Sequence, residues 1–135
     1  ITGNIGRNPG NRKKMAIVTQ GGKTAQTKYC LQQVFDHGAA SLVICRLTTG
    51  RTHQIRVHMA SIGHPVLSDP LYGNRRAILA RVSPDARDHV RALPRQALHA
   101  YRLGFSHPAT GATMTFNSNL PYDIYSLIKG LNGGR

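Results

Sequence analysis

The residues best suited to chemistry lie together in one short stretch, which runs from Gly50 to Met59 and reads Gly-Arg-Thr-His-Gln-Ile-Arg-Val-His-Met. Two arginines, two histidines and a glutamine fall within eight of these positions. Arginine holds carboxylate and phosphate groups through paired hydrogen bonds, and histidine and glutamine can hydrogen-bond a base edge or a sugar hydroxyl. The stretch therefore predicts a site for an anionic partner.

A helix is predicted to position these side chains. Thr52 is suited to be its N-cap residue, and Gly63 is suited to follow its last turn. Ile55, Met59 and Ile62 recur at helical spacing, so they predict the stripe that the helix buries. The polar residues of the stretch are then left to the flanks of the helix.

Arg56 is the arginine that this helix would present to an anion. It falls on the same line of the helix as the small residues Ala60 and Gly63, so a bulky partner can approach it there. Helix side chains tilt toward the N-terminus, where the N–H groups of the first turn are electropositive. Arg56 therefore predicts an anion site for a phosphate or a carboxylate. The alternative, an arginine that merely lies along its own helix, stays open.

The charge of the chain points to the class of its partner. There are 18 Lys and Arg residues against 5 acids, all of them Asp, which gives a net charge of +13 over 135 residues. A charge of this size favours nucleic acid as the partner of a single domain. A membrane surface would require a basic amphipathic helix with bulky apolar residues opposite, and the sequence shows none. We therefore expect no membrane partner.

Basic and polar residues near the helix are candidate contacts to nucleic acid. Residues 1–14 are predicted to be a basic loop, which acts either as a phosphate-contacting arm or only as a solvated loop. His53 and Gln54 are expected on the exposed side of the helix, where they could bind a base edge or a sugar. The candidate set is Arg7, Arg12, Lys13, Lys14, Arg51, His53 and Gln54.

None of the five carboxylates is convincing as a nucleophile or general base. Asp36 is predicted in a hairpin turn, and Asp69, ahead of Pro70, is predicted to tie its own loop. The other three fall in predicted first turns of helices, where the helix dipole favours an acid. The sequence also contains no catalytic triad and no phosphate-binding P-loop. The chain thus offers an anion-binding arginine without a nucleophile of its own.

The cysteines and histidines do not form a metal-binding pattern, and we predict no metal. Cys30 and Cys45 are the only cysteines, and they are placed symmetrically about a predicted turn near Asp36. They could therefore face each other across a hairpin. Two reduced thiols are favoured over a disulfide, although the sequence leaves their redox state open.

The elements around the helix predict an α+β fold, with a mixed, mostly antiparallel sheet and flanking helices. Residues 74–93 form an Arg- and Ala-rich insertion with two short helical patterns, expected on the surface. The strands are predicted at 15–19, 24–35, 40–48, 97–105 and 112–117, and a terminal helix at 121–131.

The central stretch resembles the signature of the RluA family of RNA pseudouridine synthases, most closely its RluD-like branch. The resemblance is carried by Leu47 to Ala60, by Ile62 to Pro65 and by Asp69 to Gly73. Residues 11–16 and 95–100 add support. The likeness covers nearly the whole chain apart from residues 74–93.

The resemblance implies isomerisation of uridine to pseudouridine in large-subunit ribosomal RNA, without a cofactor. In the family, the arginine that corresponds to Arg56 pairs with a catalytic aspartate in a His-Arg-Leu-Asp motif, which this chain lacks. Residues 1–135 would then be the C-terminal portion of one catalytic domain, with its nucleophile upstream of Ile1. We therefore expect the partner of Arg56 to be an aspartate outside this chain.

Further expectations follow from the same resemblance. The upstream half of the same protein would be a partner, the isolated chain would be inactive, and the whole protein would be a cytoplasmic monomer. The alternative is a non-catalytic basic RNA-binding module, or a ribosome-assembly factor, on the same scaffold. A general nucleic-acid-binding protein is a further alternative, for which a strongly salt-dependent affinity would be the mark.

Overall fold

The structure of the chain, a computed structural model, describes residues 1–133. Their strands form three two-stranded antiparallel sheets, β1–β2, β3–β4 and β5–β6. The predicted α+β class, with mostly antiparallel strands and flanking helices, is confirmed. In chain order the elements are β1 (Ile5–Arg7), β2 (Met15–Ile17), β3 (Thr27–Phe35), β4 (Ala40–Leu47), α1 (Gln54–Ser61), α2 (Arg75–Arg81), α3 (Pro84–Ala92), β5 (Arg102–Ser106), β6 (Thr113–Asn117) and α4 (Tyr122–Leu131).

The first fourteen residues are not one continuous loop. Ile5–Arg7 forms β1 and pairs with β2, in a register that sets Ile5 opposite Ile17. Ile5 is 2% exposed and also bridges to Lys23. The prediction of a loop is therefore wrong for residues 5–7, where the burial of Ile5 accompanies strand formation. The prediction is confirmed for residues 8–14.

The long hairpin β3–β4 carries a β-bulge that changes its register. Next to the turn Phe35 pairs with Ala40, and continuing that register would set Cys30 opposite Cys45. The bulge in β3 shifts the pairing by one residue, so Cys30 opposes Ile44 instead. A one-residue shift moves side chains to opposite faces. The prediction that the two cysteines face each other is thus wrong, and both are free thiols.

Residues 74–93 build the main apolar core and are not a surface appendage. Their two helical patterns are confirmed as α2 and α3. Four of the seven residues of the buried cluster come from this segment, because α3 turns one apolar face toward α4 and the end of β3. Burial of each Val or Leu stabilises the fold by roughly 1.5–3 kcal/mol. The cluster consists of Phe35, Val82, Ala86, Val90, Leu93, Leu127 and Leu131.

A glycine sets the distance between α3 and α4. Gly130 is buried in α4, and a Cβ atom at this position would overlap the ring of His89 in α3. The two helices can therefore approach this closely only while position 130 has no side chain.

The hairpin β5–β6 has one apolar face that nothing within residues 1–133 covers. Leu103, Phe105 and Phe116 share this face and are 61%, 43% and 52% exposed. The rings of the two phenylalanines stack with their centres 5.8 Å apart. A contiguous apolar strip of this kind is typical of a surface that another part of a protein covers.

Candidate functional site

The turn ahead of α1 differs from the predicted helix start. The helix begins at Gln54, and the residue before it is His53, whose backbone is left-handed (φ 55°, ψ 24°). The N–H of Gln54 donates to the carbonyl of Arg51 at 3.0 Å and so closes a turn before the helix. Thr52 is therefore not the N-cap. Left-handed non-glycine residues are uncommon and often mark ligand sites, which draws attention to His53.

Gln54 is buried, so the prediction that it lies on the exposed side of the helix is wrong. Only 2% of the residue is exposed. Its side-chain oxygen accepts from the Thr49 hydroxyl at 2.8 Å and from the Arg51 N–H at 3.0 Å. Its amide nitrogen donates to the Gln26 carbonyl at 2.9 Å and to the Thr27 hydroxyl at 3.0 Å. The whole hydrogen-bonding capacity of the side chain is used to fix the turn against β3.

His58 extends this network into the interior. Its Nδ1 lies 2.8 Å from the Thr27 hydroxyl and its Nε2 lies 2.9 Å from the Gly3 carbonyl, and the residue is fully buried. A carbonyl only accepts, so Nε2 carries a proton and Nδ1 can accept the hydroxyl proton of Thr27. His58 thus ties α1 to β3 and to the first residues of the chain.

Arg56 has a carboxylate partner inside the chain. Its Nε donates to Oδ2 of Asp69 at 2.7 Å and its Nη2 donates to Oδ1 at 2.8 Å. The arginine is 7% exposed and the aspartate 4%. Asp69 also ties its own loop, as predicted, because Oδ1 accepts from the N–H groups of Leu71 and Tyr72 at 2.9 and 3.1 Å. The expectation that the partner of Arg56 lies outside the chain is therefore wrong for this edge of the guanidinium.

The surroundings keep this pair ionised. Burial alone would raise the pKa of Asp69, but the hydrogen bonds from Arg56 and from the backbone of Leu71 and Tyr72 outweigh it, and the pKa lies below its usual value. The hydrogen bond to Asp69 raises the pKa of Arg56 more than burial lowers it. A buried pair of this geometry is therefore a fixed feature of the site.

The other edge of Arg56 remains available. Its Nη1 forms no hydrogen bond to any residue between 1 and 133, yet this range contains no buried side-chain nitrogen or oxygen without a partner. Nη1 therefore reaches the surface. The ring of Tyr72 lies against the guanidinium, with its centre 5.1 Å from the central carbon. Asp69 and Tyr72 thus hold Arg56 with one edge outward.

A cationic groove of about 350 Å³ lies between the β1–β2 hairpin and the turn before α1. Arg7, Lys23 and Arg51 line it, and none of its nine lining residues, all within the described range, is acidic. Arg51 is anchored by Nε to the Thr24 carbonyl at 2.9 Å, and Arg7 by Nη1 to the Arg12 carbonyl at 3.1 Å. A concave, positively charged surface of this kind fits the phosphates of a nucleic acid.

Tyr72, whose ring lies against Arg56, connects this arginine to the groove. Met15 lines the groove, and its backbone N–H donates to the Tyr72 hydroxyl at 2.9 Å. The same hydroxyl lies 2.8 Å from Nδ1 of His53. The fold therefore brings Arg7, Arg51, His53 and Arg56 to one region of the surface, as their candidate roles require.

The remaining candidates lie beside this region. Arg12, Lys13 and Lys14 belong to the loop at the end of the β1–β2 hairpin and do not line the groove. Sequence reasoning did not single out Lys23 or Tyr72. The only signal for Tyr72 was the Asp-Pro-Leu-Tyr-Gly stretch, in which the pairing with Arg56 and His53 cannot be read without the fold.

No group of three His, Cys, Asp or Glu side chains within residues 1–133 is arranged to hold a metal ion. None of the helices in this range combines the length and the apolar character that crossing a bilayer requires.

Comparison with known proteins gives a consistent result. A family model described as RNA pseudouridylate synthase matches residues 3–61, from the strands of the groove to the end of α1. The curated "Ribosomal large subunit pseudouridine synthase D" of Neisseria meningitidis serogroup B is 48% identical over 128 residues, which are 94% of this chain and 33% of that protein. The proteins of the same name from Nitrosomonas europaea and Pseudomonas aeruginosa are 47% and 44% identical.

A solved structure extends the likeness to the fold. Human RNA pseudouridylate synthase domain containing 1 superposes with a TM-score of 0.67 at 26% identity, over 88% of this chain and 46% of the human chain. The chain spans 33% to 40% of the length of the three curated relatives.

Proposed function

This chain belongs to the family of RNA pseudouridylate synthases, and on that basis we propose that its protein isomerises uridine to pseudouridine in large-subunit ribosomal RNA. The observation that carries the proposal is Arg56, a buried arginine whose Nη1 is not used by Asp69 and which Tyr72 connects to the cationic groove. Relatives named for the large ribosomal subunit support the choice of RNA.

The proposed reaction is an isomerisation and consumes no co-reactant. The target base leaves its stack, which costs a few kcal/mol, and an aspartate acts as nucleophile or base. The bond from N1 of uracil to C1′ breaks, the base rotates, and C5 bonds to C1′. C5 then releases its proton and N1 gains one. We place the aspartate upstream of Ile1, in the part of the relatives' length that this chain does not span.

Arg56 would support that aspartate through its Nη1 edge. Because Asp69 already holds Nε and Nη2, the outward edge has a fixed direction before any second carboxylate arrives. A cation within about 4–6 Å lowers the pKa of a carboxylate by about 1–3 units, which would keep the nucleophile ionised. The two carboxylates would thus share one guanidinium, one in a structural role and the other in catalysis.

The RNA would lie along the cationic groove. Arg7, Arg51 and Lys23 would contact phosphates. Replacing any one of them with a neutral residue should reduce the slope of log affinity against log salt concentration by about one. The loop carrying Arg12, Lys13 and Lys14 would extend this surface, and His53 would contact the nucleotide itself. Gln54 is not part of this proposal because its side chain is fully engaged inside the protein.

We further propose that the active protein is a cytoplasmic monomer of which residues 1–135 form the C-terminal portion of one catalytic domain. The upstream half would supply the nucleophile, so the isolated chain should release no tritium from RNA labelled at C5 of uridine. The apolar face of the β5–β6 hairpin supports a covering partner of this kind.

One observation favours the alternative of a non-catalytic RNA-binding module. Asp69 already compensates the charge of Arg56, so the fold does not need a second carboxylate to bury this arginine. On that reading the groove would bind RNA while the Nη1 edge contacted a phosphate.

The test is tritium release from large-subunit ribosomal RNA labelled at C5 of uridine, with the full-length gene product. Arg56→Lys keeps the positive charge but loses the paired N–H donors of the guanidinium. We expect it to lower the rate of tritium release by roughly 100-fold, as misplacement of a catalytic group does. Arg76→Ala, an exposed arginine of α2, is the matched control and should be unchanged.

The outcomes separate the two functions. Arg56→Lys with a wild-type rate would remove Arg56 from the mechanism. A wild-type protein that binds this RNA in a salt-dependent way and releases no tritium would favour the non-catalytic module.

A further inference from the structure

The hydroxyl of Tyr72 lies at a junction between two elements of the site. It accepts a hydrogen bond from the N–H of Met15 in β2, at 2.9 Å, and lies 2.8 Å from Nδ1 of His53 ahead of α1. The rings of Tyr72 and His53 meet edge to face with their centres 5.5 Å apart. One side chain therefore connects the β1–β2 hairpin to the start of α1.

Which group donates in the hydrogen bond between Tyr72 and His53 follows from the other hydrogen bonds that the two side chains form. The N–H of Met15 can only donate, so it occupies a lone pair of the phenolic oxygen. The phenolic proton has no acceptor other than His53 among residues 1–133. Nδ1 of a neutral imidazole can accept this proton when Nε2 carries the proton of the ring. The arrangement that uses every donor makes Nε2–H the free donor of His53.

The charged groups around His53 favour its neutral form. Partial burial lowers the pKa of His53 below its ordinary value, and the guanidinium groups of Arg56 in α1 and Arg7 in β1 lower it further. The carboxylate of Asp69 acts in the opposite direction. Because Asp69 is itself paired with Arg56, the balance leaves an uncharged imidazole among cationic neighbours.

The free nitrogen of His53 is accessible. Nε2 forms no hydrogen bond to residues 1–133, and no buried side-chain nitrogen or oxygen in that range lacks a partner, so Nε2 reaches the surface. The ring of Tyr72 also packs on Arg56, so the same residue positions both groups.

We propose that Tyr72 is a positioning residue that fixes His53 as a neutral imidazole, so that His53 donates its Nε2–H to an uncharged acceptor oxygen of the bound nucleotide. This rests on the proposed function, because RNA is taken as the ligand. A uracil carbonyl or a ribose hydroxyl offers such an oxygen, whereas a protonated histidine would favour a phosphate. His53 would therefore recognise the nucleoside while the arginines of the groove hold the backbone.

The first experiment measures the tautomer of His53 in the full-length protein without RNA. With ¹⁵N-labelled histidine, and His53→Gln to assign the signal, we expect an unprotonated Nδ1 and a protonated Nε2. Tyr72→Phe keeps the ring and removes the hydroxyl, so it should shift His53 toward a mixture of tautomers. Tyr122→Phe is the control, because Tyr122 is 82% exposed. A protonated Nδ1 in the wild type, or an unchanged signal in Tyr72→Phe, would overturn the role of Tyr72.

The second experiment tests what His53 contacts. His53→Ala should raise KM for RNA about tenfold with little change in kcat, since one neutral hydrogen bond is lost. His53→Gln retains a neutral N–H donor and should recover most of the loss. A target 2′-deoxyuridine distinguishes the two acceptors: it abolishes the effect of His53→Ala if the acceptor is the 2′-hydroxyl and preserves the effect if it is a uracil carbonyl.

Failure of this inference and failure of the proposed function give different results. Equal KM values for wild type and His53→Ala, in proteins with the same melting temperature, would overturn the contact. If the wild type releases no tritium from any ribosomal RNA, the proposed function fails. The RNA affinities of the same variants then decide the contact of His53, and the tautomer measurement stands by itself.

Discussion

Two buried regions of this chain are built on different physics. Three of the five buried residues of α1 are polar: Gln54, Arg56 and His58 are 2%, 7% and 0% exposed, and each is held by specific hydrogen bonds. Between α3 and α4 the interior is apolar, and it depends on shape, as the contact at Gly130 shows. The first region fixes chemical partners, and the second fills volume.

The difference explains where each region tolerates change. A buried polar group that loses its partner keeps its full desolvation penalty, so a polar network fails when one member is removed. An apolar core accepts another hydrophobic residue of similar volume for less than about 1.5 kcal/mol. The α1 region therefore carries a recognisable sequence signature, and the α3–α4 region, which contributes most of the apolar core, does not.

The largest expected effect is in the polar region. Asp69→Ala would leave Arg56 buried without its carboxylate, and breaking a buried pair in this way costs about 3–5 kcal/mol of unfolding free energy. Urea denaturation of the full-length protein measures it. Asp88→Ala is the matched control, since its ion pair with Arg91 is exposed and should contribute almost nothing. A loss at Asp69 no larger than at Asp88 would remove the distinction between the two regions.

A smaller effect is expected at the tightest contact of the apolar region. Gly130→Ala places a methyl group against the His89 ring, and overpacking costs about 1–3 kcal/mol. The better helix propensity of alanine offsets about 1 kcal/mol of that. Combining the change with His89→Ala should restore the lost stability, as a double-mutant cycle would show. Full additivity of the two changes would contradict the contact.

The smallest effect, a pH dependence, should appear only in the polar region. The folded-state pKa of Asp69 is lowered, so the stability that its ionised form contributes is present above the unfolded-state pKa, near 3.8, and is lost as pH falls through the folded value. The difference in unfolding free energy between wild type and Asp69→Ala should shrink over that acidic window. The corresponding difference for Gly130→Ala should stay constant there. Parallel curves for both variants would contradict this assignment.

The parts of the fold that could be predicted from the sequence are those that local pattern decides. The terminal helix was predicted at 121–131 and is observed at Tyr122–Leu131, with Ile124, Leu127 and Leu131 buried on one side. The hairpins β3–β4 and β5–β6 followed from turn residues between alternating strands, whereas β1–β2 did not. In both cases neighbouring positions carry the information, so no long-range contact is needed to read it.

The remaining features depend on contacts between distant parts of the chain. Ile62 was predicted in the buried stripe of α1, but the helix ends at Ser61 and Ile62 is 37% exposed, while Val57 and Met59 are the buried apolar residues of α1. Asp69 lies thirteen residues after Arg56 along the chain, beyond the end of α1, and no helical or strand period encodes their pairing. The bulge that separates Cys30 from Cys45 is likewise invisible in the hydrophobic pattern.

The side chain of Gln54 has a consequence for how this position can vary. Its oxygen receives two donors while its nitrogen supplies two, so glutamate would set an oxygen against the Gln26 carbonyl, and asparagine would be one methylene too short. Methionine would match the length but make none of the four bonds. An unbiased mutational scan selected for folding should therefore retain glutamine almost alone at position 54, whether or not RNA is present. The glutamine of the motif would then be required by the fold and would carry no information about the substrate.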